Sequence, residues 1–162
     1  MNFGEAIKTC FSKYFVFSGR AQRSEYWWFY LFTIIGSIIF SIMDLMAFGA
    51  RAVETISPLN TLFSLAVIIP TISAAARRLH DTNRSGWWQL LPLAPFPLLL
   101  LAIPGLVSGG ESMFAAGILM LVVLAMLGLV ILLIVWLATR GTDGPNRFGE
   151  DPLGDSIADT FS

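Results

Sequence analysis

Long apolar runs alternate with short polar pieces along this chain. The apolar runs cover about residues 26–49, 57–76, 87–107 and 113–138. Each run holds about the 20 residues that a helix needs to cross a bilayer, and a helix satisfies its own backbone in lipid. The pattern therefore predicts four transmembrane helices.

The N-terminal residues show a different periodicity. In residues 2–17 the apolar side chains recur at spacings of three and four, with polar side chains mostly between them. This spacing predicts an amphipathic helix that lies in the headgroup region of the bilayer. The alternative is a helix that packs on the ends of the spans.

Composition agrees with a membrane protein. Hydrophobic residues make up 56% of the chain and charged residues only 13%, which is too apolar for an ordinary soluble domain. We predict an all-α integral membrane bundle. It forms one four-span domain over residues 1–148, followed by a partly disordered tail over 149–162.

Prolines modify two of the predicted spans. Pro70 lies inside the second span and predicts a kink, because proline removes a helical hydrogen bond. The third span contains Pro92, Pro95, Pro97 and Pro104. Four prolines predict a bent or locally broken helix.

The basic residues predict the orientation. They precede the first span, join the second to the third and follow the fourth, whereas only Arg51 falls in the other loops. By the positive-inside rule both termini and the central loop are cytoplasmic, in a multi-pass protein of a bacterial plasma membrane. The net charge of −1 argues against a nucleic-acid partner.

Three polar segments, residues 18–25, 77–86 and 140–149, lie at the predicted cytoplasmic ends of the spans, where they should meet. We expect them to form a site for an anionic lipid headgroup or another phosphate-bearing ligand, since guanidinium groups pair with phosphate. The candidate residues are Arg20, Arg23, Glu25, Arg77, Arg78, His80, Asp81, Asn83, Arg84, Asn146 and Arg147. The alternative is that these charges only set the topology and form salt bridges, Glu25 with Arg78 and Asp81 with Arg84.

The same segments resemble a known family. The phrases FSGRAQRSEYWWF, RRLHDTNRSGWW and GTDGPNRFGEDP are similar to signature stretches of the YhaH-like bacterial inner-membrane proteins, a family catalogued as a domain of unknown function. Its members often have Gly where Asn83 stands and Tyr where Phe148 stands. The resemblance implies a small multi-pass inner-membrane protein, without a settled activity, substrate or catalytic residue.

An internal repeat is a further hypothesis. Arg23-Ser24-Glu25-Tyr26-Trp27-Trp28 opens the first span, and Arg84-Ser85-Gly86-Trp87-Trp88 opens the third. Each half would be a two-span hairpin, and the two hairpins would be parallel repeats. Motifs this short also arise by chance.

Catalytic and metal chemistry find little support in the pattern. His80 stands beside Asp81, but no nucleophile is placed by spacing, and no metal-ligand spacing occurs. We therefore expect no enzyme, metal or cofactor. A membrane-embedded enzyme that acts on a lipid phosphate through these two residues is one alternative.

Asp44 is the one acid inside a hydrophobic run. It could bind a coupling ion in a small channel or transporter subunit, which is the other alternative function, or it could reach water or Arg51 at the interface. The expected partners are the lipid bilayer and its anionic lipids. Assembly into a homo-oligomer stays open.

Overall fold

A computed structural model gives the fold and describes residues 1–49, 57–107 and 113–154. Over these residues the chain forms five α-helices and two 3-10 helices. The α-helices are α1 (Phe3–Ser12), α2 (Arg23–Phe48), α3 (Pro58–Asp81), α4 (Ile103–Val107) and α5 (Met113–Ala138), and the 3-10 helices are Gly86–Leu93 and Phe96–Leu101. Arg51 and the tail residues 155–162, both of which entered the sequence predictions, lie outside the described residues.

The chain divides into two compact units. The first unit combines Met1–Gly86 with Arg140–Ser162, and the second is Trp87–Thr139. The first unit contains α1, α2, α3 and the polar segments. All of the candidate site residues, including Asp44, belong to this unit.

Close packing joins α2 to α3 in the first unit. Gly36 of α2 lies against the ring of Phe63 of α3, so that a Cβ atom at residue 36 would collide with that ring. The same ring stacks on Phe40 with the centroids 4.9 Å apart. A small residue therefore lets the two helices approach closely, as is common between membrane helices.

The helix α1 has a well-formed start and a buried face. The side chain of Asn2 accepts the N–H of Glu5, while the Glu5 carboxylate accepts the N–H of Asn2, so that two free N–H groups are satisfied. Ala6 and Cys10 are buried. Phe11 contacts Phe29 of α2 edge-on, with the ring centroids 5.6 Å apart. The helix thus packs on the spans, and its position relative to a bilayer stays a prediction.

Pro70 has a partner in the N-terminal segment. Because proline has no N–H, the carbonyl of Ala66, four residues earlier, loses its helical hydrogen bond. The hydroxyl of Tyr14 donates to this carbonyl at 2.8 Å. The helix α3 continues without interruption from Pro58 to Asp81. A side chain from outside the helix therefore replaces the bond that the proline removes.

The proline-rich stretch of the second unit is broken into short helices. Residues 87–107 form two 3-10 helices and the short α4, which is the locally broken form that the four prolines predict. Proline cannot donate to an i−4 carbonyl, so the four prolines break the α-helical ladder, and i→i+3 bonds replace it. Within this unit Trp88 contacts Trp136 edge-on at 5.6 Å.

Three of the described helices, namely α2, α3 and α5, are long and apolar enough to cross a membrane. The proposed internal repeat is not reflected in the secondary structure. Its first half contains the 26-residue helix α2, whereas the corresponding part of its second half is 3-10 helical.

Tyr14→Phe should destabilise the protein, because the Ala66 carbonyl would lose its donor. We expect a loss of about 1–3 kcal/mol in the free energy of unfolding. Unfolding in detergent measures it, with Tyr30→Phe on the exposed side of α2 as the control. Equal losses for the two variants would contradict this role of Tyr14.

Candidate functional site

The C-terminal part of α3 is the centre of the first unit. From Ser73 to Leu79 every residue is buried, and so is Asp81. The sequence predicts a loop from Arg77 to Gly86, but the helix continues to Asp81. The loop prediction was wrong for Arg77 to Asp81, because hydropathy falls where the arginines begin, whereas a helix can continue wherever its charged side chains find partners.

Asn83 ends this helix in a left-handed conformation, with φ at 58°. The N–H of Asn83 donates to the carbonyl of His80, and the N–H of Arg84 donates to that of Leu79, both at 2.9 Å. This pair of bonds is a Schellman motif, whose left-handed position favours Gly and tolerates Asn. The Gly that the resembling family often has here fits the same backbone.

The other two polar segments satisfy more of the terminal carbonyls of α3. The N–H of Ala21 donates to Arg77 at 3.1 Å, and the N–H of Thr142 donates to Asp81 at 2.9 Å. Asn146 donates from its side-chain Nδ2 to the carbonyl of His80 at 3.0 Å. Residues 18–25, 77–86 and 140–151 therefore meet around one helix terminus, which we call the arginine end.

Buried ion pairs occupy the inside of the arginine end. Arg77 pairs with Glu25 at 2.5 Å, and Arg20 pairs with Asp81 at 2.9 Å. Arg78 pairs with the other oxygen of Asp81. The side chains of these five residues, which we call the arginine cluster, are 1–6% exposed. Removal of one partner from such a buried pair costs about 3–5 kcal/mol.

These partners differ from the predicted ones. The sequence predicts Glu25 with Arg78 and Asp81 with Arg84, whereas Glu25 pairs with Arg77, and Asp81 lies between Arg20 and Arg78. The prediction assumed that both arginines of the Arg77-Arg78 pair lie in a loop. On a helix, adjacent residues point about 100° apart, so the two arginines face different neighbours.

Arg20 is held from several directions. Its guanidinium group donates to the carbonyls of Gly144 and Thr142, each at 2.6 Å, in addition to its bond with Asp81. Gly141 adjoins the same carboxylate so closely that a Cβ atom there would collide with it. The segment after α5 thus closes over the arginine cluster.

Cys10 lies beside the Arg77–Glu25 pair and is fully buried. Burial raises the pKa of its thiol to about 12, with a further contribution from the Glu25 charge. The thiol is therefore neutral. Nη1 of Arg77 donates to Glu25, and the Arg77 guanidinium also lies close to the Cys10 thiol, where it partly offsets the rise in pKa.

His80 takes part in a stack instead of an acid–base pair. Its Nδ1 lies 3.0 Å from the carbonyl of Gly19, and because a carbonyl only accepts, this nitrogen carries the proton. The imidazole stacks on Phe148 with the centroids 4.0 Å apart. The guanidinium of Arg147 lies over the Phe148 ring, 4.7 Å from its centroid. Asp81, the sequence neighbour of His80, pairs with Arg20 and Arg78 instead of with the imidazole.

Three candidate arginines lie toward the surface. Arg23 is exposed and has no hydrogen-bond or ion-pair partner among the described residues. Arg147 donates to the carbonyl of Asn83, and Arg84 donates to that of Thr82. Arg140, which was not among the candidates, makes an exposed pair with Asp143 at 3.0 Å.

A small polar cavity of about 70 Å³ opens at the arginine end. It is lined by Gln22, Arg23, Arg78, Asp81, Arg140, Gly141, Thr142, Asp143, Asp151 and Leu153. Only three of these are candidates from the sequence. For Gly141, Thr142, Asp143 and Asp151 the signal was the GTDGPNRFGEDP phrase, which contains all four.

Asp151 is the most constrained acid of this cavity. Its carboxylate accepts the N–H groups of Gly144 and Leu153, both at 2.9 Å, and lies 3.9 Å from Nη2 of Arg20. The bond from Leu153, with smaller contributions from Gly144 and Arg20, lowers the pKa of Asp151 below its ordinary value. The carboxylate is therefore ionised at neutral pH.

Asp44 lies far from the arginine end and caps a helix. It is fully buried. One carboxylate oxygen accepts the N–H of Leu59 at 3.0 Å, and the other accepts the N–H of Asn60 at 2.9 Å. The first N–H groups of a helix have no partner inside it, and α3 takes its cap from α2. Whether Arg51 also contacts this carboxylate lies outside the described residues.

Metal binding has no geometric basis in this part of the chain. Over the described ranges, no group of three or more His, Cys, Asp or Glu side chains is arranged to hold a metal ion.

Comparison with known proteins places this arrangement in a family. Residues 14–150 match the model of a family described as Protein of unknown function (DUF805). The chain belongs to this family. The matched range includes residues 18–25 and 77–86 and the third segment of the arginine end as far as residue 150.

Three relatives in Escherichia coli K12 match most of the chain. The chain is 36% identical over 139 residues to the inner membrane protein YhaH of Escherichia coli K12, which covers 86% of this chain and 88% of YhaH. It is 35% identical to YhaI of the same strain, with 86% and 87% covered, and 28% identical to the uncharacterized protein YiiR, with 85% and 86% covered. No solved structure matches.

Asn83→Ala should destabilise the protein by about 1–2 kcal/mol, since an L residue without a short polar side chain pays for the left-handed conformation. Asn83→Gly should be neutral or stabilising. Thermal unfolding in detergent compares the two. If the glycine variant loses as much stability as the alanine variant, the left-handed conformation of residue 83 does not explain the loss.

Asp44→Ala should lower the free energy of unfolding by about 1–2 kcal/mol, because both helix N–H groups would lose their acceptor. Asp44→Asn keeps one acceptor and should lose less. Chemical unfolding of both variants measures the difference. Equal losses would show that the charge of Asp44, and not its capping bonds, matters.

Proposed function

We propose that this protein is a non-enzymatic, multi-pass inner-membrane protein that binds the headgroup of an anionic lipid at its arginine end, on the cytoplasmic side. The observation that carries the proposal is the polar cavity lined by Arg23, Arg78 and Arg140 at one end of a membrane helix pair. The relatives named as inner membrane proteins support the location.

The depth of the cavity supports a lipid ligand. From Trp28 to Phe48 the helix α2 is about 30 Å long at 1.5 Å per residue, which equals the hydrocarbon thickness. Tryptophan favours the boundary between water and lipid. With Trp28 at that boundary, Arg23 lies just beyond it, at the level of the headgroups.

The orientation rests on the positive-inside rule and an even number of crossings. The helices α2, α3 and α5 are long and apolar enough to be three of these crossings. The apolar residues from Gly86 to Leu101, which form two successive 3-10 helices, would supply the fourth. Both termini would then lie in the cytoplasm.

The buried and the exposed arginines have different roles in the proposed lipid site. Arg20, Arg77 and Arg78 are buried in ion pairs, so they organise the arginine end. Arg23 and Arg140 are exposed at the cavity and can reach a phosphate. Each arginine near an anionic leaflet contributes about 1 kcal/mol.

The two alternative functions draw less support from the geometry. A transport path through Asp44 would need a carboxylate open to water, whereas both of its oxygens accept helix N–H groups. A hydrolase would need His80 to face a substrate. Its ring is instead stacked on Phe148, and its Nδ1 donates to Gly19.

Arg23→Gln should weaken the binding of phosphatidylglycerol about fivefold and leave phosphatidylcholine binding unchanged, because one exposed guanidinium is worth about 1 kcal/mol at an anionic surface. Native mass spectrometry of the purified protein with each lipid measures both affinities.

Arg51→Gln is the matched control, since it removes the same charge from the loop that the sequence places on the opposite side. An equal loss in this variant would contradict a site at the arginine end. So would a wild-type protein that binds both lipids equally well.

A further inference from the structure

The arginine cluster contains one more positive charge than negative charge. Arg20, Arg77 and Arg78 face Glu25 and Asp81. A buried excess charge is costly unless an anion lies nearby. The nearest further anion is Asp151, whose carboxylate lies 3.9 Å from Arg20.

Asp151 differs from the two acids of the cluster in its accessibility. Its side chain is 18% exposed, compared with 5% for Glu25 and 6% for Asp81. It lines the polar cavity together with Arg23 and Arg140 and with two further acids, Asp81 and Asp143. Of Glu25, Asp81 and Asp151, Asp151 is therefore the acid that an entering anion reaches most easily.

The groups around the Asp151 carboxylate are of the kind that bind phosphate. It accepts one N–H from Gly144 outside its own turn, and it lies next to a guanidinium group. Backbone N–H groups and arginines are the usual donors to phosphate oxygens in proteins. Gly144 donates this N–H from a left-handed conformation, at φ 73°, which favours glycine.

We propose that Asp151 marks the anion subsite of the cavity, and that a lipid headgroup phosphate displaces its carboxylate. The phosphate would accept the N–H of Gly144 and lie against Arg20, with Arg23 and Arg140 at its outer side. The carboxylate of Asp151 then competes with the phosphate for the N–H of Gly144, and residues 150–154 move away from Gly144 when lipid binds. This inference rests on the proposed function.

Asp151→Asn tests the competition, with Glu150→Gln as the matched control. Glu150 is the exposed neighbour, and its replacement changes the net charge equally. We expect the Asp151 variant to bind phosphatidylglycerol roughly fivefold more tightly than wild type, as measured by native mass spectrometry, and the Glu150 variant to change by less than twofold.

Hydrogen exchange on the wild-type protein provides a second readout that needs no variant. Added phosphatidylglycerol should speed exchange in residues 150–154, because displaced Asp151 no longer accepts from Leu153. Phosphatidylcholine should have no effect. Soluble glycerol phosphate is the third arm, and a response to it without a response to lipid overturns the assignment of a lipid ligand.

The outcomes separate this inference from the proposed function. If Arg23→Gln weakens lipid binding but Asp151→Asn leaves it unchanged or weakens it, the subsite is wrong and the lipid site stands. If the Asp151 and Glu150 variants gain equally in affinity for phosphatidylglycerol, the gain comes from the change in net charge, and the subsite is again wrong. If no form of the protein prefers phosphatidylglycerol, both proposals fail.

Discussion

The fold depends on how one helix ends. The helix α3 carries two adjacent arginines into a buried terminus, where charges and backbone carbonyls must all find partners away from water. Glu25 of α2, Arg20 of the linker before it, and the segment after α5 supply those partners. Because these partners come from residues 18–25 and 140–151, a single helix terminus fixes the positions of two segments that are distant in the sequence.

Arginines at the end of a membrane helix can be buried and structural as well as exposed. Positive-inside placement predicts basic residues near the cytoplasmic ends of spans, and exposed ones can serve topology alone. Here Arg77 and Arg78 are among the largest fully buried side chains of the described chain. Their ion pairs with Glu25 and Asp81 organise the end of α3, and the proposed binding of an anion is assigned to the exposed arginines around them.

The sequence was sufficient for some parts of the fold and not for others, and the reason differs between residues. Hydropathy located α2 and α5 to within a few residues, since it measures the environment that decides those helices. It misplaced the end of α3, because Arg77 to Asp81 are polar but paired with residues far along the chain. It could also not show that Asp44 caps the next helix, since the N–H groups of Leu59 and Asn60 are identical in kind to those of any other residue. Of the site, the convergence of three segments was predictable from short connections, whereas the choice of partners and the place of Asp151 depend on side-chain geometry.

The bond from Tyr14 to the carbonyl of Ala66 has a consequence for biogenesis. A nascent chain leaves the ribosome from its N-terminus, so Tyr14 is synthesised more than 50 residues before Pro70, whose missing donor it replaces. The donor for the Ala66 carbonyl is therefore already present in the chain when α3 forms, and α3 can keep its proline without leaving that oxygen unsatisfied.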